Sequence, residues 1–129
     1  MVTIQRLVGS VLIASLCSGI SSAREVTTLQ EYQTLFASTK PVFVKIYAEW
    51  CGACKRMSGA VNKAESSYQD QIIFAHINFD KMDSDLAREL SSVRSLPTCI
   101  FIKNGKEFNK IVGSMQQDQL FKELQKLLS

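Results

Sequence analysis

The sequence predicts a single α/β domain, a four-stranded mixed sheet with helices on both faces. Three observations predict it. Three short runs, VFVKIYA (42–48), IIFAHINF (72–79) and PTCIFI (97–102), are almost continuously apolar and rich in β-branched and aromatic residues. That pattern suits strands covered on both faces. Between and around them, apolar residues recur at helical spacing. After the third run comes Asn104-Gly105, a strong hairpin signal, followed by a fourth strand-like run, EFNKIV.

The elements follow in order. In VTTLQEYQTLFAST (26–39), Leu29, Tyr32, Leu35 and Phe36 share one helical stripe, with Thr27 or Thr28 as N-cap. Pro41 closes the connection to the first strand. KRMSGAVNKAESSY (55–68) reads as a helix through Met57, Val61, Ala64 and Tyr68. DSDLARELSSV (83–93) reads as a short helix capped by Asp83 or Ser84. Ser114 and Gln117 resemble a capping box ahead of LFKELQKLLS, whose buried face is Leu120, Phe121, Leu124, Leu127 and Leu128. The order is α-β-α-β-α-β-β-α. Strands joined by helices are expected to run parallel through right-handed crossovers, with an antiparallel hairpin last.

The chain has 129 residues, a formal charge of +3 and no basic stripe, so one domain is expected and nucleic acid is not suggested. No internal repeat or low-complexity tract is present. Residues 1–23 read differently. MVTIQR carries one cation, LVGSVLIASLCSGI is apolar, and Ser21 and Ala23 are small. This is the order of a secretory signal, with cleavage expected after Ala23 and a domain over 24–129. A retained anchor is the alternative, but the apolar run 7–20 falls short of the roughly 20 residues a spanning helix needs. Cys17 lies in this segment, and Leu16 before it argues against a lipid-carrying cysteine.

Export bears on the remaining cysteines, Cys51, Cys54 and Cys99, because disulfides persist outside the cytosol. An odd number argues against a structural disulfide framework. Cys51 and Cys54, in YAEWCGACK (47–55), form a CxxC between the first strand and the next helix. They could be a redox couple or half of a zinc site. The further soft ligands a zinc site needs are only Cys99 and His76, both in predicted core strands. No histidine follows Cys54, so c-type haem attachment is excluded. No metal or other cofactor is expected.

The element order with CxxC at this junction resembles the thioredoxin family over nearly all of residues 26–128. AEWCGACK is close to its active-site signature. INFD resembles its second core strand, LPT its cis-proline segment and IFIKNGKEFNKIVG its terminal hairpin. YAEWCGACK is also similar to the thioredoxin-like periplasmic domain of bacterial transmembrane disulfide reductases.

The resemblance implies a thioredoxin-like fold and a redox-active Cys51–Cys54 disulfide. Cys51 would sit exposed at a helix N-terminus, where free N–H groups and the helix dipole favour a thiolate nucleophile. Cys54, one turn inside, would be the resolving thiol. Gly52 and Ala53 set the poise. Ala53 stands where the family often has proline, which restores an N–H donor and implies a more oxidising couple. Trp50 would wall the client site. Leu96, before a cis Pro97, would pair with an extended client chain, and Gly113 would leave room for it.

Two positions depart from the family. Its buried aspartate on the first core strand is here Lys45, and a lysine common on the neighbouring strand is here His76. Lys45 is expected to tune the couple as a charge or as a neutral amine; the alternative is that it snorkels to solvent. His76 is either a proton acceptor or a satisfied, partly buried side chain. Cys99 reads as a small buried hydrophobe, with an extra redox thiol as alternative.

The expected function is thiol–disulfide exchange on exported, cysteine-bearing client proteins. A reductase is the leading reading, a monomer served by a membrane-bound electron donor or acceptor. A disulfide oxidase or isomerase is the alternative. A metal-binding or redox-inactive module with the same fold is more distant.

Overall fold

The computed structural model describes residues 23–129. The expected signal segment and its cleavage site lie almost wholly outside the described residues. The elements are β1 (Arg24–Glu25), α1 (Leu29–Phe36), β2 (Val42–Tyr47), α2 (Gly52–Tyr68), β3 (Ile73–Asn78), a 3-10 turn (Phe79–Lys81), α3 (Ser84–Glu89), β4 (Thr98–Lys103), β5 (Lys106–Val112) and α4 (Gln117–Leu128). The α/β architecture, with a mixed sheet between helices, is the one expected.

The sheet has five strands in the order β1-β3-β2-β4-β5. The extra strand is β1, whose two residues pair with Ala75 and His76 of β3. Two exposed charged residues carry no alternation, so nothing in the sequence marks them as a strand. β2 and β3 are parallel, as expected. β4 is not parallel to them: it runs antiparallel to β2, with Ile46 opposite Thr98 and Val42 opposite Ile102. Length explains this. α3 has six residues and spans roughly 9 Å, whereas β3, also of six residues, spans roughly 20 Å. So short a helix does not return the chain to the far end of the sheet. The loop after it stays at the near end, with Val93, Arg94 and Ser95 beside Cys51, so β4 starts where β3 finished.

β2 lies at the centre, and its alternation splits the core in two. Val42, Val44 and Ile46 join Tyr32, Leu35, Leu86 and Leu90 in one cluster, under α1 and α3. Phe43 points the other way, into a cluster with Met57, Val61 and Ala64 of α2 and Leu120, Leu124 and Leu127 of α4. By the same alternation Lys45 and Tyr47 face α2. Because β2 has covered strands on both sides and helices on both faces, Lys45 is buried with the rest.

The local signals behave as their chemistry dictates. Thr28 caps α1 in a full capping box with Glu31. Asp83 caps α3 through the Leu86 N–H. Asn104 and Gly105 take φ of 54° and 73°, the two positive values a tight hairpin turn requires. One signal misleads. Ser114 does not cap α4; the N-cap is Gln116, with no side-chain hydrogen bond. Met115 before it and Leu120 four residues after it are buried in one cluster. This apolar staple sets where the helix begins.

Candidate active site

The chain leaves β2 at Tyr47 and turns sharply, the Cys51 N–H donating to the Ala48 carbonyl at 3.2 Å. Cys51 is the N-cap of α2. It has extended backbone angles, and its Sγ accepts the Cys54 N–H at 3.1 Å. A sulfur thus takes the place of the usual capping oxygen. Cys51 and Cys54 form a disulfide, with Cα atoms 5.3 Å apart.

Cys51 was expected to be exposed, yet it is only 6% accessible, and Cys54 2%. Both pack with Ala48, and Tyr47, Ala53 and Leu96 lean on them. The bond to Cys54 draws the Cys51 sulfur inward, so it is reached through a groove and does not protrude. Of the two cysteines only Cys51 lines that groove, a hollow of about 560 Å³. Trp50, Phe79, Val93 and Leu96 give it apolar walls, and Arg94 and Ser95 its polar part.

Trp50 is 68% exposed, so it is not a core tryptophan. Its Nε1–H donates to Asp80 Oδ2 at 2.8 Å. The Asp80 N–H in turn donates to Oδ1 of buried Asn78 at 3.0 Å. The indole is thereby held beside the disulfide by the turn that follows β3. Opposite it, the Leu96–Pro97 peptide is cis. The Pro97 carbonyl accepts the Gly113 N–H at 2.8 Å, which ties this segment to the end of β5. Gly113 has φ +99°, a conformation that favours glycine, and a Cβ there would meet nothing within 4 Å. The backbone demands the glycine, and the space beside it is open. Gly52 is exposed at the start of α2 and Ala53 half-buried.

Lys45 lies beneath the disulfide. It is 5% exposed, so it does not snorkel to solvent. Its Nζ donates to the Cys54 carbonyl at 3.3 Å and stands 5.8 Å from the Tyr47 ring centre. Burial pushes its pKa below the ordinary lysine value, with Cys99 and Glu65 opposing. Cys99 is fully buried directly across the ladder from Lys45, and burial pushes its thiol up to about 12. His76 is held by Glu65, Nε2 to Oε1 at 2.7 Å. It is a satisfied, half-buried side chain.

Sequence reasoning missed Phe79, Asp80, Val93, Arg94 and Ser95. Val93 read as a helical core position, but α3 ends at Glu89 and Val93 sits in the following loop. Phe79 read as the end of a strand. Only the folded arrangement of these two loops around Cys51 shows that they share a groove. Among the described residues, no three His, Cys, Asp or Glu side chains gather as a metal site. Nor is any described helix long and apolar enough to cross a membrane.

Comparison with known proteins agrees with this geometry. Residues 23–126 match the Thioredoxin family. Thioredoxin from Mycoplasmoides gallisepticum is 35% identical over 106 residues, which cover 80% of this chain and 99% of that one. The bifunctional thioredoxin reductase/thioredoxin of Mycobacterium leprae is 32% identical over 100 residues, but the chain spans only 21% of that protein's length. The crystal structure of oxidised mitochondrial thioredoxin 3 from Saccharomyces cerevisiae superposes with a TM-score of 0.71 at 28% identity, covering 81% of this chain and 94% of that one. A disulfide capping a helix, a groove leading to one of its sulfurs and a family match over residues 23–126 lead to one conclusion: the chain belongs to the thioredoxin family and is a thiol–disulfide oxidoreductase working through Cys51 and Cys54.

Proposed function

We propose that the protein reduces disulfides in exported client proteins and is itself re-reduced by a membrane-bound dithiol donor. The observation that carries the chemistry is the placement of Cys51 Sγ, capping α2 at the floor of an apolar groove. In the dithiol form, the Cys51 thiolate attacks a client disulfide and releases one client thiolate. Cys54 then attacks Cys51 Sγ, releases the second client thiolate and restores the disulfide. Two electrons pass to the client, and each client thiolate takes a proton.

Trp50, Leu96, Pro97 and Gly113 hold the client chain. Trp50 and Leu96 supply apolar contact on either side of Cys51. The backbone at Leu96, beside the open space at Gly113, pairs with an extended segment as an added strand would. Gly52, exposed in the first helical turn, lets that segment approach closely.

The reductase direction is supported by the connection from α2 to β4. It holds only β3, a 3-10 turn and a six-residue helix, with no inserted helical domain. Export rests on residues 1–23, whose order of cation, apolar run and small residues reads as a secretory signal. Action as a monomer is part of the same reading.

Equilibration with glutathione buffers tests the direction. A potential well below about −200 mV is expected, and one near −120 mV would identify an oxidase. N-terminal sequencing of protein from a cell fraction outside the cytosol should find the chain starting at Arg24. Material retaining residues 1–23 in the cytosol would overturn the export reading.

A further inference from the structure

The polar groups under the disulfide are few, and one is unusual. Lys45 is a buried amine whose only side-chain hydrogen bond goes to the Cys54 carbonyl. It makes no ion pair among the described residues, and Glu65, on the same helix as the cysteines, is taken by His76. An ammonium has three donors to satisfy, and here one is used. The neutral amine needs less and keeps a lone pair. The surrounding groups do not offer an alternative. Cys99, opposite Lys45 on β4, holds its own proton firmly. Tyr47 turns its hydroxyl away to Glu25, at 2.8 Å. His76, opposite Lys45 on β3, is bound to Glu65.

Within the thiol–disulfide reading above, we propose that Lys45 is the proton acceptor of Cys54 in the resolution step. The Cys54 thiol gives its proton to the Nζ lone pair, which makes a thiolate beside an ammonium. The thiolate forms a bond to Cys51 Sγ. The bond from Cys51 to the client sulfur breaks, and the client sulfur leaves with the electron pair. The ammonium then loses its proton to solvent. Creating the two charges together costs less in a buried site than creating either alone. Burial of the amine keeps it a ready acceptor, and attachment to the Cys54 carbonyl keeps it on the turn that carries the thiol.

The test uses the reduced full chain carrying Cys17→Ser, in which Cys99 is fully buried, with an aromatic disulfide reagent that releases a coloured thiolate. The first release reports attack by Cys51, and the second reports resolution by Cys54. Lys45→Met should slow the second release about a hundredfold at pH 7, the low end for general-base assistance. It should leave the first release within about threefold, and a urea unfolding curve with an unchanged slope shows that the variant is folded. Its deficit should shrink as hydroxide rises, with wild type reaching its plateau at lower pH. Lys45→Arg keeps the charge but has no lone pair, so it should not restore the second phase. A second phase unchanged in Lys45→Met, or fully restored in Lys45→Arg, would overturn the proposal.

A measurement on the unmodified protein stands apart from folding of the variants. The Lys45 Cε resonance should titrate at higher pH in the dithiol form than in the disulfide form, because a Cys54 thiolate favours the ammonium. Equal midpoints would also overturn it. An oxidising potential would sink the reductase direction without touching either result, since the reverse step returns the same proton from Lys45 to Cys54.

Discussion

The Cys54 N–H donates to Cys51 Sγ at 3.1 Å, so the sulfur that caps α2 is held by the very residue with which it exchanges electrons. The same bond turns that sulfur toward the helix and leaves its far side to the groove. A substrate sulfur can approach Cys51 and not Cys54, which lines no part of the groove. Cys54→Ser should therefore still attack clients but fail to let go. A mixed disulfide at Cys51 should accumulate, visible as a mass increase that a reductant removes. Cys51→Ser should reduce no insulin above background and trap nothing. Adducts on Cys54 in Cys51→Ser would reverse the assignment.

The bond from Trp50 Nε1 to Asp80 fixes one wall of the groove without burying it. Asp80→Ala frees the indole and asks little of the fold. Unfolding free energy should fall by less than about 1 kcal/mol, since both partners face water. KM for a protein disulfide should rise a few-fold with kcat little changed, because the loss is in holding the client. Trp50→Ala removes the wall itself and should raise KM further. A fall in kcat at constant KM would place Trp50 in the chemistry instead.

Stability should depend far more on the α4 side of the core than on the caps. Leu124 is fully buried between α4 and the sheet. Leu124→Ala should cost about 2–5 kcal/mol in urea unfolding. Thr28→Ala breaks the capping box of α1 and should cost about 1 kcal/mol. Similar costs for the two would mean that the site around Leu124 collapses to fill the cavity.

The spans of β2, β3 and β4 were legible because each run is apolar nearly throughout, and burial on both faces leaves few other choices; β5, mostly exposed, was legible from the turn before it. The turn at Asn104-Gly105 was legible for a local reason, the positive φ both residues adopt. The direction of β4 was not, because it depends on how far α3 reaches, and Val93 looked like part of that helix. The cysteine pair was plain from spacing. The groove was not, because Phe79, Val93 and Arg94 come from two loops whose approach to Cys51 is set by the whole sheet. Lys45 was ambiguous for a related cause. A long cation on a strand can snorkel or be enclosed, and only the cover of α2 decides.

Alkaline conditions should expose the buried acids. Burial lifts the Cys99 thiol from 9.0 to about 12. Burial likewise lifts Tyr32 from 10.0 to about 12, and burial, then the bond to Glu25, does so for Tyr47. Each is an acid whose folded pKa exceeds its unfolded one. The unfolded chain therefore releases the proton first as pH rises. Stability held in full below the unfolded value is lost between there and about 12. For Cys99 that loss starts near pH 9, a unit before the tyrosines. Lys45 acts oppositely: its folded pKa lies below 10.5, so its burial penalty is relieved as pH rises toward that value. In a Cys17→Ser, Cys51→Ala, Cys54→Ala background, which leaves Cys99 no partner within the chain, urea unfolding at pH 8 and pH 10 isolates the Cys99 contribution. Adding Cys99→Ala should lower stability at pH 8, through the cavity it leaves, yet reduce the further loss at pH 10 by about 1 kcal/mol. An identical loss with and without Cys99 would mean that the thiol is not the first buried acid to ionise, and that the tyrosines or the net charge set the alkaline limit.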